Sequence, residues 1–120
     1  MTDKQEFGRR GEAIALAFYT ENKFSIVEKN WQNNHLEVDL IVKNEEYIVF
    51  CEVKTRSANP LVEPKQAVTT QKQRNIIRAA NYYVLKHRIA LEVRFDIVSI
   101  IFNGEDYTLE HIPFAFTPKW

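Results

Sequence analysis

The chain has 120 residues, 45% of them hydrophobic and 27% charged, which suits one compact domain with a modest core. Sixteen basic residues balance sixteen acidic ones, so bulk charge argues against a general nucleic-acid binder. No apolar run approaches a membrane span, the N-terminal region mixes acids and bases unlike a signal peptide, and the single cysteine, Cys51, excludes an internal disulfide; a cytoplasmic location away from the membrane is expected.

Thr2 and Asp3, followed by Gln5 and Glu6, predict a helix start, with the helix running to about 19–21. Ala13, Ile14, Ala17 and Phe18 supply its packing stripe. Gly8 and Gly11 fall inside it, each costing about 1 kcal/mol of helix propensity relative to alanine. That cost points to close approach by a neighbour, a loosened first turn, or a phosphate. Glu12 lies mid-helix and can reach a cleft. Residues 24–29 alternate as a first strand, with Phe24, Ile26 and Glu28 on one side, and 31–35 are polar and turn-like. A second strand over 36–43 and a third over 47–56 are joined by a polar stretch short enough for a tight hairpin.

The charges on these two strands carry the functional signal. One face of the third strand is Tyr47, Val49, Cys51, Val53 and Thr55; the other begins Ile48 and Phe50, then turns to Glu52, Lys54 and Arg56. The strand therefore starts buried on both sides and becomes charged on one side near its end. On the second strand, alternation sets Leu36, Val38, Leu40 and Val42 against Glu37, Asp39, Ile41 and Lys43. A loop at Glu45 and Glu46 places Asp39 opposite Glu52; a loop at Asn44 and Glu45 places them on a diagonal. Either way the two carboxylates share a face. At about 4 Å they repel by roughly 4 kcal/mol at an effective dielectric near 20, which a cation, a lysine or a retained proton must offset. An Asp, a Glu and a Lys on one face can bind a hard divalent cation and position a water on a phosphate. The bland alternative is a surface ion-pair ladder on an edge strand.

Residues 57–64 hold Asn59-Pro60 and form a loop. Thr69 or Thr70 caps a second helix, with Thr70-x-x-Gln73 fitting a capping box. This helix ends near His87, turns Ile76, Ile77, Ala80, Tyr83 and Val84 inward, and points Lys72, Arg78 and Asn81 elsewhere. Between Pro64 and Leu91 there is no acid, but there are Lys65, Lys72, Arg74, Arg78, Lys86 and Arg88, a local charge of +6. A basic helix beside an acidic site suits a phosphodiester backbone; a solvated helix face is the alternative. A strand over 91–102, a turn at Asn103-Gly104 and a return strand over 107–112 follow. The predicted order is α-β-β-β-α-β-β: an α/β (α+β) arrangement, with two helices covering a mixed sheet of about five strands. Residues 1–112 read as one domain. The tail, 113–120, is expected to dock on the core through Phe114, Phe116 and Trp120, with a partner-binding segment as the alternative. Cys51 reads as a small buried hydrophobe rather than a nucleophile. His35, His87 and His111 lack zinc-ligand spacing. Glu37 is either a further ligand or a solvated neighbour.

Several ordered motifs resemble the YraN family of small bacterial proteins: Gly8-x-x-Gly11-Glu12-Ala13, Glu37-Val38-Asp39-Leu40-Ile41, Phe50-x-Glu52-Val53-Lys54-Thr55-Arg56, Ala67-Val68-Thr69 with Lys72, and Arg94-Phe95-Asp96-Ile97-Val98. The resemblance implies a restriction-endonuclease-like core akin to Holliday-junction resolvases. It implies a nuclease-like domain over 1–112, acting on phosphodiester bonds of branched or otherwise structured DNA. By position, Asp39 and Glu52, aided by Glu12, look like the acids that hold Mg²⁺ or Mn²⁺, and Lys54 looks like the lysine that orients or activates water. Arg9, Arg10, Arg56, Lys72, Arg74 and Arg78 are the expected nucleic-acid contacts, and a homodimer is a further expectation. The family has glycines where His35 and Leu36 stand, and often a glutamate at Gln66; both departures bear on the approach loop rather than on Asp39, Glu52 or Lys54. The alternatives are an idle nucleic-acid-binding module and a dimeric interaction protein.

Overall fold

The computed structural model describes residues 3–58 and 68–118. Its elements are α1 (Asp3–Glu21), β1 (Ser25–Asn33), β2 (Leu36–Lys43), β3 (Tyr47–Ser57), α2 (Thr70–His87), β4 (Glu92–Asn103) and β5 (Asp106–Ile112), in the predicted order. The strands lie in one sheet in sequence order; β3 and β4 are parallel and the other neighbours antiparallel. One helix covers each face. On the α1 side Ala15 and Tyr19 pack with Leu40, Val42, Val49, Cys51, Val98, Ile100 and Phe102. On the α2 side Ile76, Ala79, Ala80 and Tyr83 pack with Val38, Ile41, Ile48, Phe50 and Phe95.

The packing stripe of α1 keeps Ile14 and Phe18 of the one expected, partly buried against the core, but is centred elsewhere. Ala13 and Ala17 are exposed, and Gly11, Ala15 and Tyr19 face the sheet at four-residue spacing. The reason is close approach: a Cβ on Gly11 would collide with Cγ2 of Thr55 on β3. At Gly8 no described residue lies within 4 Å of such a Cβ, so the two glycines differ in their surroundings.

β1 is longer than its alternation implied, because the polar run at 31–33 pairs with β2 and only Asn34 (φ 57°) and His35 turn. Polar side chains are tolerated there since β1 is an edge strand. A bulge between Ile26 and Glu28 breaks its alternation: Phe24 packs on the α1 side, whereas Glu28 accepts a hydrogen bond from the Tyr83 hydroxyl on α2 at 3.0 Å. A second break sits at Asn30 (φ 49°), opposite Asp39. Here β2 departs from strict alternation, for Leu36 and Val38 pack on the α2 side while Leu40 and Val42 pack on the α1 side. Asp39 stands at the slip.

The other turns follow local chemistry. Asn44 Oδ1 accepts from the backbone N–H of Glu46 (2.9 Å) and Tyr47 (2.7 Å), leaving Glu45 and Glu46 as the loop between β2 and β3. The N-cap of α2 is Thr69, whose hydroxyl accepts from the Lys72 N–H at 3.2 Å; Gln73 binds the Val68 carbonyl rather than closing a capping box. The β4–β5 turn is Gly104 and Glu105, one residue beyond the expected pair, because Asn103 still pairs with Asp106. Thr2, most of the 57–64 loop, Gln66 and Trp120 lie outside the described residues. The tail lies on the core: Ala115 is buried, its N–H donates to the Phe95 carbonyl at 2.8 Å, and Phe116 stacks on Phe95 at 5.1 Å.

Candidate functional site

The sheet forks. β2 pairs with β3 only from Lys43↔Ile48 to Leu40↔Cys51, then follows β1 to Leu36, while β3 continues beside β4 to Ser57. Beyond Cys51, among the described residues, β3 has no strand partner on the β2 side. Asp39 bridges the opening: its Oδ2 accepts the Val53 N–H at 2.8 Å, replacing the lost ladder bond. This register is the one that a loop at Glu45 and Glu46 sets, with Asp39 beside Glu52.

The charged end of β3 lies in the fork. Glu52 is 4% exposed, and its Oε1 is 3.5 Å from Lys54 Nζ and 3.5 Å from Lys72 Nζ. Lys72 also lies 3.9 Å from Oε1 of the more exposed Glu37. Lys72 comes from the first turn of α2, where a cation opposes the helix dipole and no acid compensates. Glu52 and Glu37 supply that compensation across space, which brings Lys72 beside the acids of the fork. Burial pushes the Glu52 carboxyl up to about 7; the Asp39 charge adds to this and the two lysines oppose it. Asp39 is also raised, chiefly by burial, against the Val53 N–H and the lysines.

Glu12 reaches the fork from the α1 side. Its carboxyl is raised by burial, held down by a hydrogen bond from Asn30 and raised again by the charge of Asp39. Among the described residues, Glu12, Asp39 and Glu52 do not gather into a three-ligand cluster. Two desolvated carboxylates still fit a Mg²⁺-like ion in kind, since such ions keep several waters and take one or two carboxylates. In a strand the carbonyl of Val53 points the same way as its N–H, so a further hard oxygen faces the opening.

The remaining basic residues divide. Arg74 and Arg78 line a groove of about 450 Å³ with Gln73 and Thr117, turned away from Lys72. Arg9 lines a second groove on the α1 side, Arg10 lies over the Phe102 ring at 4.5 Å, and Arg56 is half-buried two residues beyond Lys54.

One buried cluster gave little warning. Asp96 is fully buried and accepts from Arg94 Nε (2.9 Å) and Nη2 (2.8 Å), the Tyr19 hydroxyl (2.8 Å) and the Phe114 N–H (3.3 Å), with His111 Nε2 at 2.8 Å. Arg94 is flanked by the rings of Phe24, Tyr47 and Phe114 at 5.0–5.3 Å. Burial alone would raise Asp96, but hydrogen bonds from His111, Arg94 and Tyr19 hold it below the usual carboxylate range. The available signal was Arg-x-Asp on one face of an apolar strand. Cys51 is buried and its thiol is raised by that burial, as a structural cysteine requires. No helix among the described residues is long and apolar enough to cross a membrane.

The model of the uncharacterised protein family UPF0102 matches residues 11–100, a span that includes Glu12, Asp39, Glu52, Lys54 and Lys72. A UPF0102 protein of Parabacteroides distasonis is 39% identical over 116 residues, covering 97% of this chain and 96% of its own. One from Bacteroides thetaiotaomicron is 36% identical over 118 residues, covering 98% of each chain. One from Geobacter metallireducens is 37% identical over 113 residues, covering 93% of each.

Proposed function

Taking as premise that this chain belongs to the uncharacterised protein family UPF0102, we propose that it is a metal-dependent endonuclease that hydrolyses phosphodiester bonds of structured DNA. The observation that carries this reading is the fork, where Asp39, Glu52, Lys54 and Lys72 meet at the place where β2 and β3 part. Asp39 and Glu52 would hold Mg²⁺ or Mn²⁺, which when bound would supply Lewis-acid stabilisation of the phosphoryl oxygens. Lys54, on the same face two residues on, directs a water and offsets the negative charge gathering on the phosphoryl oxygens. The water oxygen gives up a proton to bulk solvent as it forms a new P–O bond, the P–O bond to the leaving sugar breaks, and the departing oxygen takes a proton from solvent. Lys72 keeps Glu52 in place through its 3.5 Å contact. Arg74 and Arg78 supply phosphate contacts outside the reacting centre.

The test is cleavage of labelled junction, flap and single-stranded DNA with Mg²⁺ or Mn²⁺, set against chelator. Asp39→Asn and Lys54→Ala should each lower the rate by about 10²-fold or more, the scale of losing a positioned catalytic group. Cutting that survives undiminished in both variants overturns the assignment.

A second reading has its own support: both lysines already neutralise Glu52, as in a nucleic-acid-binding module without turnover. It calls for salt-sensitive binding that weakens when Arg74 and Arg78 are neutralised, with no cleavage under any metal.

A further inference from the structure

On the face of the sheet covered by α1, a groove of about 300 Å³ runs between that helix and β1–β2. Its wall is apolar, made by Ala13, Leu16 and Leu40, and its rim carries the cations Arg9 and Lys29. Glu12 and Asn30 form the end nearest the fork, where Glu12 feels the charge of Asp39. Asn30 stands there because its left-handed backbone (φ 49°) interrupts β1.

We propose that this groove is a nucleotide subsite, seating the base of one unpaired nucleotide against Ala13, Leu16 and Leu40 while Arg9 and Lys29 hold its flanking phosphates. The inference rests on the nucleic-acid part of the function proposed above and extends it to the α1 face of the sheet. Three observations carry it. The groove pairs an apolar plate with two cations, which suits a flat ring attached to an anion and is how enzymes hold an extruded base. Its volume is at the small end for ligand sites, the scale of a single nucleotide rather than a peptide or helix. Gly8, one helical turn before Glu12 on the same face, has no neighbour among the described residues within 4 Å of where its Cβ would be. A bare helix surface on the approach to the groove leaves room for a strand lying close to the backbone.

The experiment is fluorescence anisotropy of the whole protein, in chelator so that no cleavage intervenes, with a labelled short oligothymidylate and with the same oligomer carrying abasic positions. The base-containing strand should bind roughly five-fold or more tightly, the low end of what a held base contributes. Ala13→Trp, at an exposed helix position, should fill the groove and abolish that difference. Lys29→Gln should weaken both strands. Arg78→Gln, in the groove on the α2 side, should weaken both without altering their ratio. Equal affinity for the two strands, or a difference that survives Ala13→Trp, overturns the subsite while leaving the nucleic-acid reading in place. Failure of both strands to bind overturns both.

Discussion

Glu52 is the residue whose environment is most at odds with its charge. It is almost wholly buried, it faces Asp39, and its carboxyl is pushed up to about 7 from an ordinary value of 4.5. The folded protein therefore holds this proton more tightly than the unfolded chain does. The corresponding stability is complete below about pH 4.5 and is lost as pH rises through about 7. A shift of that size is worth about 3 kcal/mol, shared by the Asp39–Glu52 pair. Urea unfolding at pH 5 and pH 8 should show that loss in the native protein and much less of it in Glu52→Gln. An equal pH dependence in the two proteins would mean that the carboxyl is already ionised at pH 5. Metal affinity should follow the same axis, strengthening as pH rises through 7, because the ion competes with that proton.

At the scale of elements, α1 is placed by a contact of one methyl group. Gly11 lies against Thr55, so Gly11→Ala should destabilise by about 1–3 kcal/mol through overpacking. Thr55→Ser removes the obstructing Cγ2, and in that background the alanine should cost far less. Gly8→Ala, with open space above it, should instead stabilise by about 1 kcal/mol through helix propensity. Thermal or urea denaturation of the four variants decides the matter; additive effects at Gly11 and Thr55 would deny that they touch. The same packing sets the height of Glu12 over the fork, so α1 is both a cover for the sheet and the carrier of a site residue.

At the scale of the whole molecule, Asp96 joins α1 through Tyr19, β4 through Arg94, β5 through His111 and the tail through Phe114. Ala115 and Phe116 of the tail complete the core beside Ile97 and Phe95. Asp96→Asn leaves the guanidinium of Arg94 buried without its counter-charge and should cost about 3–5 kcal/mol, read as a fall in the urea midpoint. Adding Arg94→Met should recover part of that loss, because a buried pair removed together strands no charge. Asp96 is held below the ordinary carboxylate range, so its contribution is present at neutral pH and disappears as the protein is acidified through that lowered value.

Much of the architecture was legible in the amino-acid order because it depends on local chemistry. Two strand periods with a polar joint predict the β2–β3 hairpin, and the turn of β3 from apolar to charged places Glu52 and Lys54 on one face. The family resemblance to YraN proteins added the same residues from their motifs, and membership of UPF0102 bears that resemblance out. What stayed hidden depends on pairing between distant segments. Parity could not foresee that β2 slips at Asp39, because the slip answers to Asn30 on the neighbouring strand. Lys72 read as a surface cation, although a lysine in a first turn without an acid breaks the dipole rule and could have hinted at a carboxylate across space. Asp96 stood out in the sequence only as part of the Arg94-Phe95-Asp96-Ile97-Val98 motif, and only tertiary packing buries it among Tyr19, Arg94 and His111. The sequence by itself determined which residues carry charge and which strand face they share, since side-chain alternation is local. The tertiary structure alone decided that β2 and β3 part beyond Cys51, because a fork exists only where each strand is held by a different neighbour.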